Sequence, residues 1–151
     1  MKKRQLKTTS HSTTQTKELA KELASSLKGG EVICLYGDLG GGKTTFIKGL
    51  AEGLGIKEII TSPTFILHRS YNAQRSGISR LHHIDLYRIA SIRDIEALGL
   101  DEMLSESISV ITIEWAEKIK KILPRKRIDI YFDYLDENKR EITFSYENPN
   151  S

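Results

Sequence analysis

The sequence VICLYGDLGGGKTTFIKGL, residues 32–50, decides the fold of this chain. Within it, Gly37, Gly42, Lys43 and Thr44 stand at the spacing G-x-x-x-x-G-K-S/T of a phosphate-binding P-loop. Residues 32–36 are apolar and predict a buried strand, and apolar residues recur at helical spacing behind Lys43. Strand, glycine-rich turn and helix therefore follow in the order that the motif requires. This context favours a nucleotide site over a glycine-rich turn that binds nothing.

The residue types of the turn suit a polyphosphate. Gly40, Gly41 and Gly42 allow backbone N–H groups to surround a phosphate that side chains would obstruct. The helix that follows presents free N–H groups and the positive end of its dipole to the β-phosphate. Lys43 adds a mobile positive charge for the β- and γ-phosphates, and the Thr44 hydroxyl is an oxygen ligand for phosphate-bound Mg²⁺.

Length and composition indicate one domain with an ordinary core. The chain has 151 residues, of which 38% are hydrophobic and 28% are charged, and its formal net charge is +3. This mild charge permits a nucleic-acid partner without indicating one. The single cysteine, Cys34, excludes an internal disulfide and is expected to be buried. No signal peptide or membrane span is expected, so we predict a cytoplasmic protein.

Hydrophobic periodicity predicts alternating helices and strands. Helices are expected over residues 16–28, with Thr16 as N-cap, and over 92–98, 100–104 and 116–122. Strands are expected over residues 65–67, 78–86 and 109–113, and a hairpin over 128–134 and 141–146. We therefore predict the α/β class: a single P-loop NTPase-like three-layer sandwich whose sheet is mixed but mostly parallel, with a C-terminal β-hairpin. Residues 1–7 are interpreted as a basic, loosely ordered tail, 8–146 as the domain and 147–151 as a flexible end.

Two acids follow apolar strands, where a carboxylate beside a phosphate-bound metal is expected. Asp85 ends one strand and Glu114 ends the run VITI, so at least one is predicted to have a metal or water role. A hydroxyl-rich turn that ends at Thr64 lies where nucleotide switches sense the γ-phosphate. His82 and His83 are not expected to be a metal pair, because adjacent strand residues point to opposite faces.

In five blocks the chain resembles the TsaE family of small bacterial ATPases, formerly called YjeE: GDLGGGKTTF, SPTF, HHIDLYR, IEWAEKI and a closing LP. The resemblance covers nearly all of residues 8–146. It implies an Mg²⁺-dependent ATPase with low activity alone, docked on and stimulated by TsaB and TsaD, to which TsaC supplies threonylcarbamoyl-adenylate. That pathway installs threonylcarbamoyl on the adenosine beside the anticodon of tRNAs that read codons beginning with A. The chain alone is expected to be a monomer that meets tRNA indirectly, through the complex.

The resemblance also implies site residues at the matching positions of this sequence. It assigns Asp85 to the attacking water or to help with the metal, Thr64 to a switch-like role, and Thr44 and Glu114 to Mg²⁺. Lys43 is catalytic and also binds phosphate. The residues implied in ATP binding are Ser12, Thr13, Asp38, Leu39, Gly40, Gly41, Gly42, Lys43, Thr44, Thr45, Trp115 and Arg140. Gly41 stands where many relatives have alanine, which leaves the assignment intact.

Two other functions stay open from the residues. A P-loop kinase of a small metabolite would need an acceptor pocket and usually an arginine-bearing lid, and no insert of that kind follows Asp85. A nucleotide-switched interaction module would use the same loop without turnover. A GTPase is disfavoured because the guanine-reading Asn-Lys-x-Asp is absent: Asn138 and Lys139 are followed by Arg140 and Glu141.

Overall fold

The computed structural model describes the backbone of residues 2–38, 42–61 and 67–148, and the side chains of these residues from 4 to 146. Four residues predicted for the site, Leu39, Gly40, Gly41 and Thr64, lie outside the described residues. Most of the strand predicted over residues 65–67 lies outside them as well.

Within the described ranges, seven strands form one mixed sheet in the order β1-β7-β6-β2-β5-β4-β3. The four strands β6, β2, β5 and β4 are parallel, while β1, β7 and β3 pair antiparallel. The predicted mixed α/β sheet and its C-terminal β6–β7 hairpin are therefore confirmed. The strands are β1 Lys2–Ser10, β2 Val32–Tyr36, β3 His68–Arg75, β4 Ile78–Asp85, β5 Ser109–Glu114, β6 Ile128–Tyr134 and β7 Arg140–Asn148.

Helices cover both faces of the sheet and form a three-layer sandwich. They are α1 Thr13–Ser26, α2 Lys43–Gly53, α3 Ile92–Ala97, α4 Leu100–Leu104 and a 3₁₀ helix, Ala116–Ile122. On one face α1 and α2 bury Ala20 and Phe46 against β2. On the other face α3, α4 and the 3₁₀ helix bury a second cluster that includes Ile119 and Cys34. Burial of Cys34 agrees with the prediction from its apolar surroundings.

Two glycines allow α1 and α2 to pack closely. A Cβ at Gly49 would lie 2.6 Å from the Lys17 carbonyl oxygen, and one at Gly53 would lie 2.6 Å from the Ala24 Cβ. Contact positions advance together along both helices, so the helices run parallel with their N termini side by side. The start of α1 is thereby held beside the P-loop helix.

The N-terminal part of the chain differs from the prediction in two ways. Residues 2–10 form β1 on the edge of the sheet, paired antiparallel with β7 along its whole length, whereas a loose tail was expected over residues 1–7. The predicted N-cap is also wrong: α1 is capped by Ser12, whose Oγ accepts a hydrogen bond of 3.0 Å from the Gln15 N–H. Thr16 lies inside the helix, and its hydroxyl is 2.6 Å from Ser10 Oγ.

In the part of the chain that the structure describes, no helix is both long and apolar enough to cross a membrane.

Candidate functional site

A cleft of about 370 Å³ opens at the carboxyl ends of the parallel strands. Its walls come from the starts of α1 and α2, the ends of β4 and β5, and the β6–β7 turn. It brings together ten residues predicted from the sequence: Ser12, Thr13, Gly42, Lys43, Thr44, Thr45, Asp85, Glu114, Trp115 and Arg140. Asp38 is exposed and is not among the residues that line the cleft.

The backbone structure favours glycine at both ends of the P-loop motif. Gly37 has φ 142° and lies so close to β6 that a Cβ would be 2.6 Å from the Phe132 carbonyl oxygen. Gly42 precedes α2 with φ 98°, in the left-handed region that favours glycine, and forms no side-chain cap to the helix. The first N–H groups of α2 therefore face the cleft without a capping side chain, as an anion site at a helix N terminus requires.

Lys43 holds its amine at the floor of the cleft. The residue is buried, and its Nζ donates a hydrogen bond of 2.6 Å to the Gly37 carbonyl oxygen. The same Nζ lies 4.8 Å from the centroid of the Trp115 ring. A phosphate oxygen would offer this cation a charged acceptor in place of a neutral carbonyl, and the added attraction between opposite charges favours that exchange.

Asp85 and Glu114 lie side by side at the ends of neighbouring strands. They are register partners in the parallel β4–β5 pair, and Glu114 is also the register partner of Leu35 on the P-loop strand β2. Both carboxyl groups are buried. Glu114 is therefore one strand from the P-loop strand and Asp85 is two strands away, so of the two acid-bearing strands only β5 is a direct neighbour of β2.

Burial sets the electrostatics of Asp85. Loss of solvent raises the pKa of its carboxyl above the usual value, the Tyr87 backbone N–H opposes this with a hydrogen bond of 3.0 Å, and the Glu114 charge raises the pKa further. A carboxylate with a raised pKa is a stronger base than a free one, so it would accept a proton or a hydrogen bond from a neighbouring water more readily.

His83 contacts Glu114, and the sequence did not predict this contact. Its side chain is fully buried, and its Nε2 lies 2.7 Å from Glu114 Oε2. His82 points to the other face, where its Nε2 lies 3.1 Å from Glu106 Oε2, so the two adjacent histidines lie on opposite faces of the sheet, as the alternation along a strand predicts. The alternation of side chains along β4 could have predicted this position for His83, because His83 and Asp85 lie on the same face of the strand.

Trp115 and Tyr87 form the aromatic rim of the cleft. Trp115 follows Glu114 with φ 61°, an unusual backbone conformation for a residue with a bulky side chain. Its ring centroid is 5.1 Å from that of Tyr87. Tyr87 was not predicted for the site, although it lies two residues after Asp85 within the block HHIDLYR.

The opposite rim combines both ends of the chain. Arg140, the first residue of β7, lines the cleft with Ser12 and Thr13 at the start of α1. The Arg140 guanidinium carbon lies 4.6 Å from the centroid of the Tyr134 ring, and its NH1 group donates to the Asp136 carbonyl. This rim of the cleft therefore carries one cation and two hydroxyl groups.

The oxygen atoms at the cleft fit Mg²⁺ bound together with a polyphosphate. Thr44 and Glu114 both line it, and Mg²⁺ is commonly held by one or two protein oxygens plus substrate phosphates and water. Among the described residues, no group of three or more His, Cys, Asp or Glu side chains could hold a metal ion. Thr44 and Glu114 fit a magnesium ion that is also held by nucleotide phosphates.

Most of the sequence matches a known family of proteins. Residues 10–142 match the model of a family described as threonylcarbamoyl adenosine biosynthesis protein TsaE. A tRNA threonylcarbamoyladenosine biosynthesis protein TsaE from Bacillus subtilis is 44% identical over 142 residues, which is 94% of this chain and 86% of that protein. The protein of that name from Treponema pallidum is 44% identical over 117 residues, covering 78% of this chain and 83% of that protein.

The similarity extends to three dimensions. The crystal structure of Bacillus subtilis YdiB matches this chain with a TM-score of 0.80 and 38% identity, over 99% of this chain and 90% of that one. Both the sequence and the fold thus match the same group of proteins along nearly the whole chain. The chain therefore belongs to the TsaE family, the threonylcarbamoyl adenosine biosynthesis proteins.

Proposed function

We propose that this chain is the Mg²⁺-dependent ATPase of tRNA N6-threonylcarbamoyladenosine biosynthesis and acts with homologues of TsaB and TsaD. The observation that carries the proposal is the convergence of Lys43, Thr44, Asp85 and Glu114 on one cleft. A cation, a hydroxyl group and two buried carboxyl groups are the protein groups that phosphoryl transfer from a nucleotide requires. Membership of the TsaE family supplies the pathway.

In this proposal the nucleotide is bound by the start of α2 and by the two rims of the cleft. The first N–H groups of α2 and the Lys43 amine hold the phosphates, with Lys43 exchanging the Gly37 carbonyl for a phosphate oxygen. Ser12, Thr13 and Arg140 form the wall that receives the nucleoside. The Trp115 ring, over the Lys43 amine, covers the phosphates from the other side.

The strand positions support a division of roles between the two acids. Glu114, on the strand next to β2, would bind the metal with Thr44, and Asp85, one strand further out, would act on the water. Mg²⁺ held in this way supplies positive charge to the phosphate oxygens. Asp85 accepts a hydrogen bond from the water that attacks the γ-phosphorus; the bond to the bridging oxygen breaks, and ADP and phosphate leave.

Slow turnover by the chain alone is part of the proposal. Hydrolysis depends on groups placed where charge develops in the transition state, and docking on TsaB and TsaD completes that set. The chain then works as the timing element of the assembly, and it acts in the cytoplasm.

The test measures ATP binding, ATP hydrolysis and tRNA modification with the same proteins. We expect TsaB and TsaD to raise the hydrolysis rate, and modification over many turnovers to require this chain. Lys43→Ala should lose ATP binding. Asp85→Asn should bind ATP normally and hydrolyse it roughly 100- to 10,000-fold more slowly, the usual size of a general-base effect.

Three outcomes would count against the proposal. An unchanged hydrolysis rate on adding TsaB and TsaD would remove the partner-dependent ATPase. Rapid phosphoryl transfer to a small metabolite would instead identify a kinase. Full support of repeated tRNA modification by Asp85→Asn and Glu114→Gln, with ATP binding intact, would identify a switch that works without hydrolysis.

A further inference from the structure

The segment that follows the cleft is strongly basic. Residues 118–127, KIKKILPRKR, hold six cations and no acid, although the whole chain has a formal net charge of only +3. The remainder of the chain is therefore net negative. The positive charge is concentrated on one short stretch that begins three residues after Trp115.

Most of these cations are exposed to solvent. Ile119 and Leu123 of the segment are buried in the core under the 3₁₀ helix, which fixes the backbone. Arg127 is used internally, with its Nε 3.0 Å from Asp129 Oδ1. The remaining five cations are exposed, and we call them the basic surface: Lys118, Lys120, Lys121, Arg125 and Lys126.

Within the described residues, few acidic side chains neutralise the charge of the basic surface. Within the described ranges, Lys120, Lys121, Arg125 and Lys126 form no ion pair. Lys120 and Lys121 are adjacent in the chain and both exposed, and so are Arg125 and Lys126. The surface therefore presents several adjacent cations to solvent, and this is the electrostatic pattern that attracts a polyanion.

We propose that the basic surface binds the phosphate backbone of RNA. Four of its five cations are lysines, which are depleted from protein–protein interfaces but are common at phosphate contacts. Residues 116–127 contain no aromatic ring on which a base could stack, so the contact is expected to be independent of base sequence. This inference rests on the proposed function, in which RNA is the substrate of the pathway, and it adds a direct contact where only an indirect one was expected.

The basic surface also reaches the nucleotide cleft. The Lys118 Nζ donates a hydrogen bond of 2.5 Å to the carbonyl oxygen of Tyr87, whose side chain lies on the cleft rim. RNA on the basic surface and ATP in the cleft would therefore be neighbours along the 3₁₀ helix, close enough for one to affect the other.

The experiment measures binding of fluorescein-labelled, unmodified tRNA to the full chain by anisotropy at salt concentrations from about 50 to 200 mM. The test variant is the double reversal Lys120→Glu with Lys121→Glu. The matched control is Lys48→Glu with Lys57→Glu, because both lysines are exposed, Lys48 lies on α2 across the sheet, and the change in net charge is the same. We expect roughly tenfold weaker binding by the test variant. The slope of log affinity against log salt should become shallower by the amount that about two phosphate contacts contribute. The control should bind like the parent chain.

Two results would overturn the inference. Equal weakening by the test and control variants would mean that tRNA responds only to net charge. Unchanged tRNA affinity of the test variant, together with lost stimulation by TsaB and TsaD, would assign the basic surface to an acidic protein instead. ATP binding and hydrolysis are measured on the same samples, so a chain that binds tRNA through this surface but never hydrolyses ATP would refute the proposed function and leave the RNA contact standing.

Discussion

Replacing His83 with leucine is expected to weaken Mg²⁺ binding more than it weakens ATP binding. The His83 side chain is fully buried, and its Nε2 lies 2.7 Å from Glu114 Oε2. Its other ring nitrogen has no hydrogen-bond partner among the described residues, so the contact with Glu114 is the polar interaction that the substitution removes. In the proposed site, a hydrogen bond from His83 to one carboxylate oxygen would orient the other oxygen toward Mg²⁺.

The size of the effect follows from the kind of bond that is lost. A hydrogen bond to a charged group contributes about 1.5–3 kcal/mol, and this corresponds to roughly 10- to 150-fold in an equilibrium constant. Removal of a residue that orients a metal ligand typically costs about 10- to 100-fold in metal affinity. We therefore expect the apparent Mg²⁺ affinity, measured at saturating ATP, to decrease by about 10- to 100-fold. The ATP affinity without Mg²⁺ should change little.

Trp115 makes the measurement direct, because it is the only tryptophan of the chain and its ring lies 4.8 Å from the Lys43 amine. Its fluorescence can follow a Mg²⁺ titration without any measurement of activity. His83→Gln should recover most of the affinity, because the glutamine amide can donate to the same carboxylate. His82→Leu is the matched control: it removes a neighbouring buried histidine that contacts Glu106 on the other face of the sheet.

The reasoning would be refuted if His82→Leu and His83→Leu shifted the Mg²⁺ midpoint equally, since both changes would then act through general loss of packing. It would also be refuted if folded His83→Gln bound Mg²⁺ as poorly as the leucine variant.

Two further predictions concern stability. Burial raises the pKa of Asp85 above 3.8 in the folded chain, so its charged form costs stability at neutral pH, and this cost disappears as the pH falls through the folded pKa toward 3.8. Asp85→Asn should therefore be more stable than the parent chain to urea at neutral pH, with a gain that shrinks on acidification; a less stable variant would contradict this. Gly49→Ala should lose about 1–3 kcal/mol of unfolding free energy despite the better helix propensity of alanine, because its Cβ would meet the Lys17 backbone at 2.6 Å. Lys48→Ala, at the exposed neighbouring position, should stay within about 0.5 kcal/mol of the parent chain, and equal losses for the two variants would rule out the proposed overlap.

Where the sequence predicted the fold well, the signal was local. The strand before Gly37 and the helix after Gly42 follow from a buried apolar run, glycine conformations and helical periodicity within a few residues of each other. The same holds for α4, found at Leu100–Leu104 as predicted. The start of α1 was misplaced because a run of Ser and Thr offers several possible caps, and the choice of Ser12 depends on its bond to the Gln15 N–H. β1 was missed because its stability comes from pairing with β7 at the other end of the chain.

The sequence by itself determined the P-loop motif, from which phosphate binding is predicted, and the residue types that could complete the site, because motif spacing and side-chain chemistry are local properties. The roles of Leu39, Gly40, Gly41 and Thr64 remain predictions of that kind. Only the tertiary structure decided that Glu114 lies next to the P-loop strand with Asp85 beyond it, that His83 binds Glu114, and that Arg140 lies across the cleft from Trp115. These contacts depend on strand order and register, which are set by pairing and burial between residues far apart in the chain.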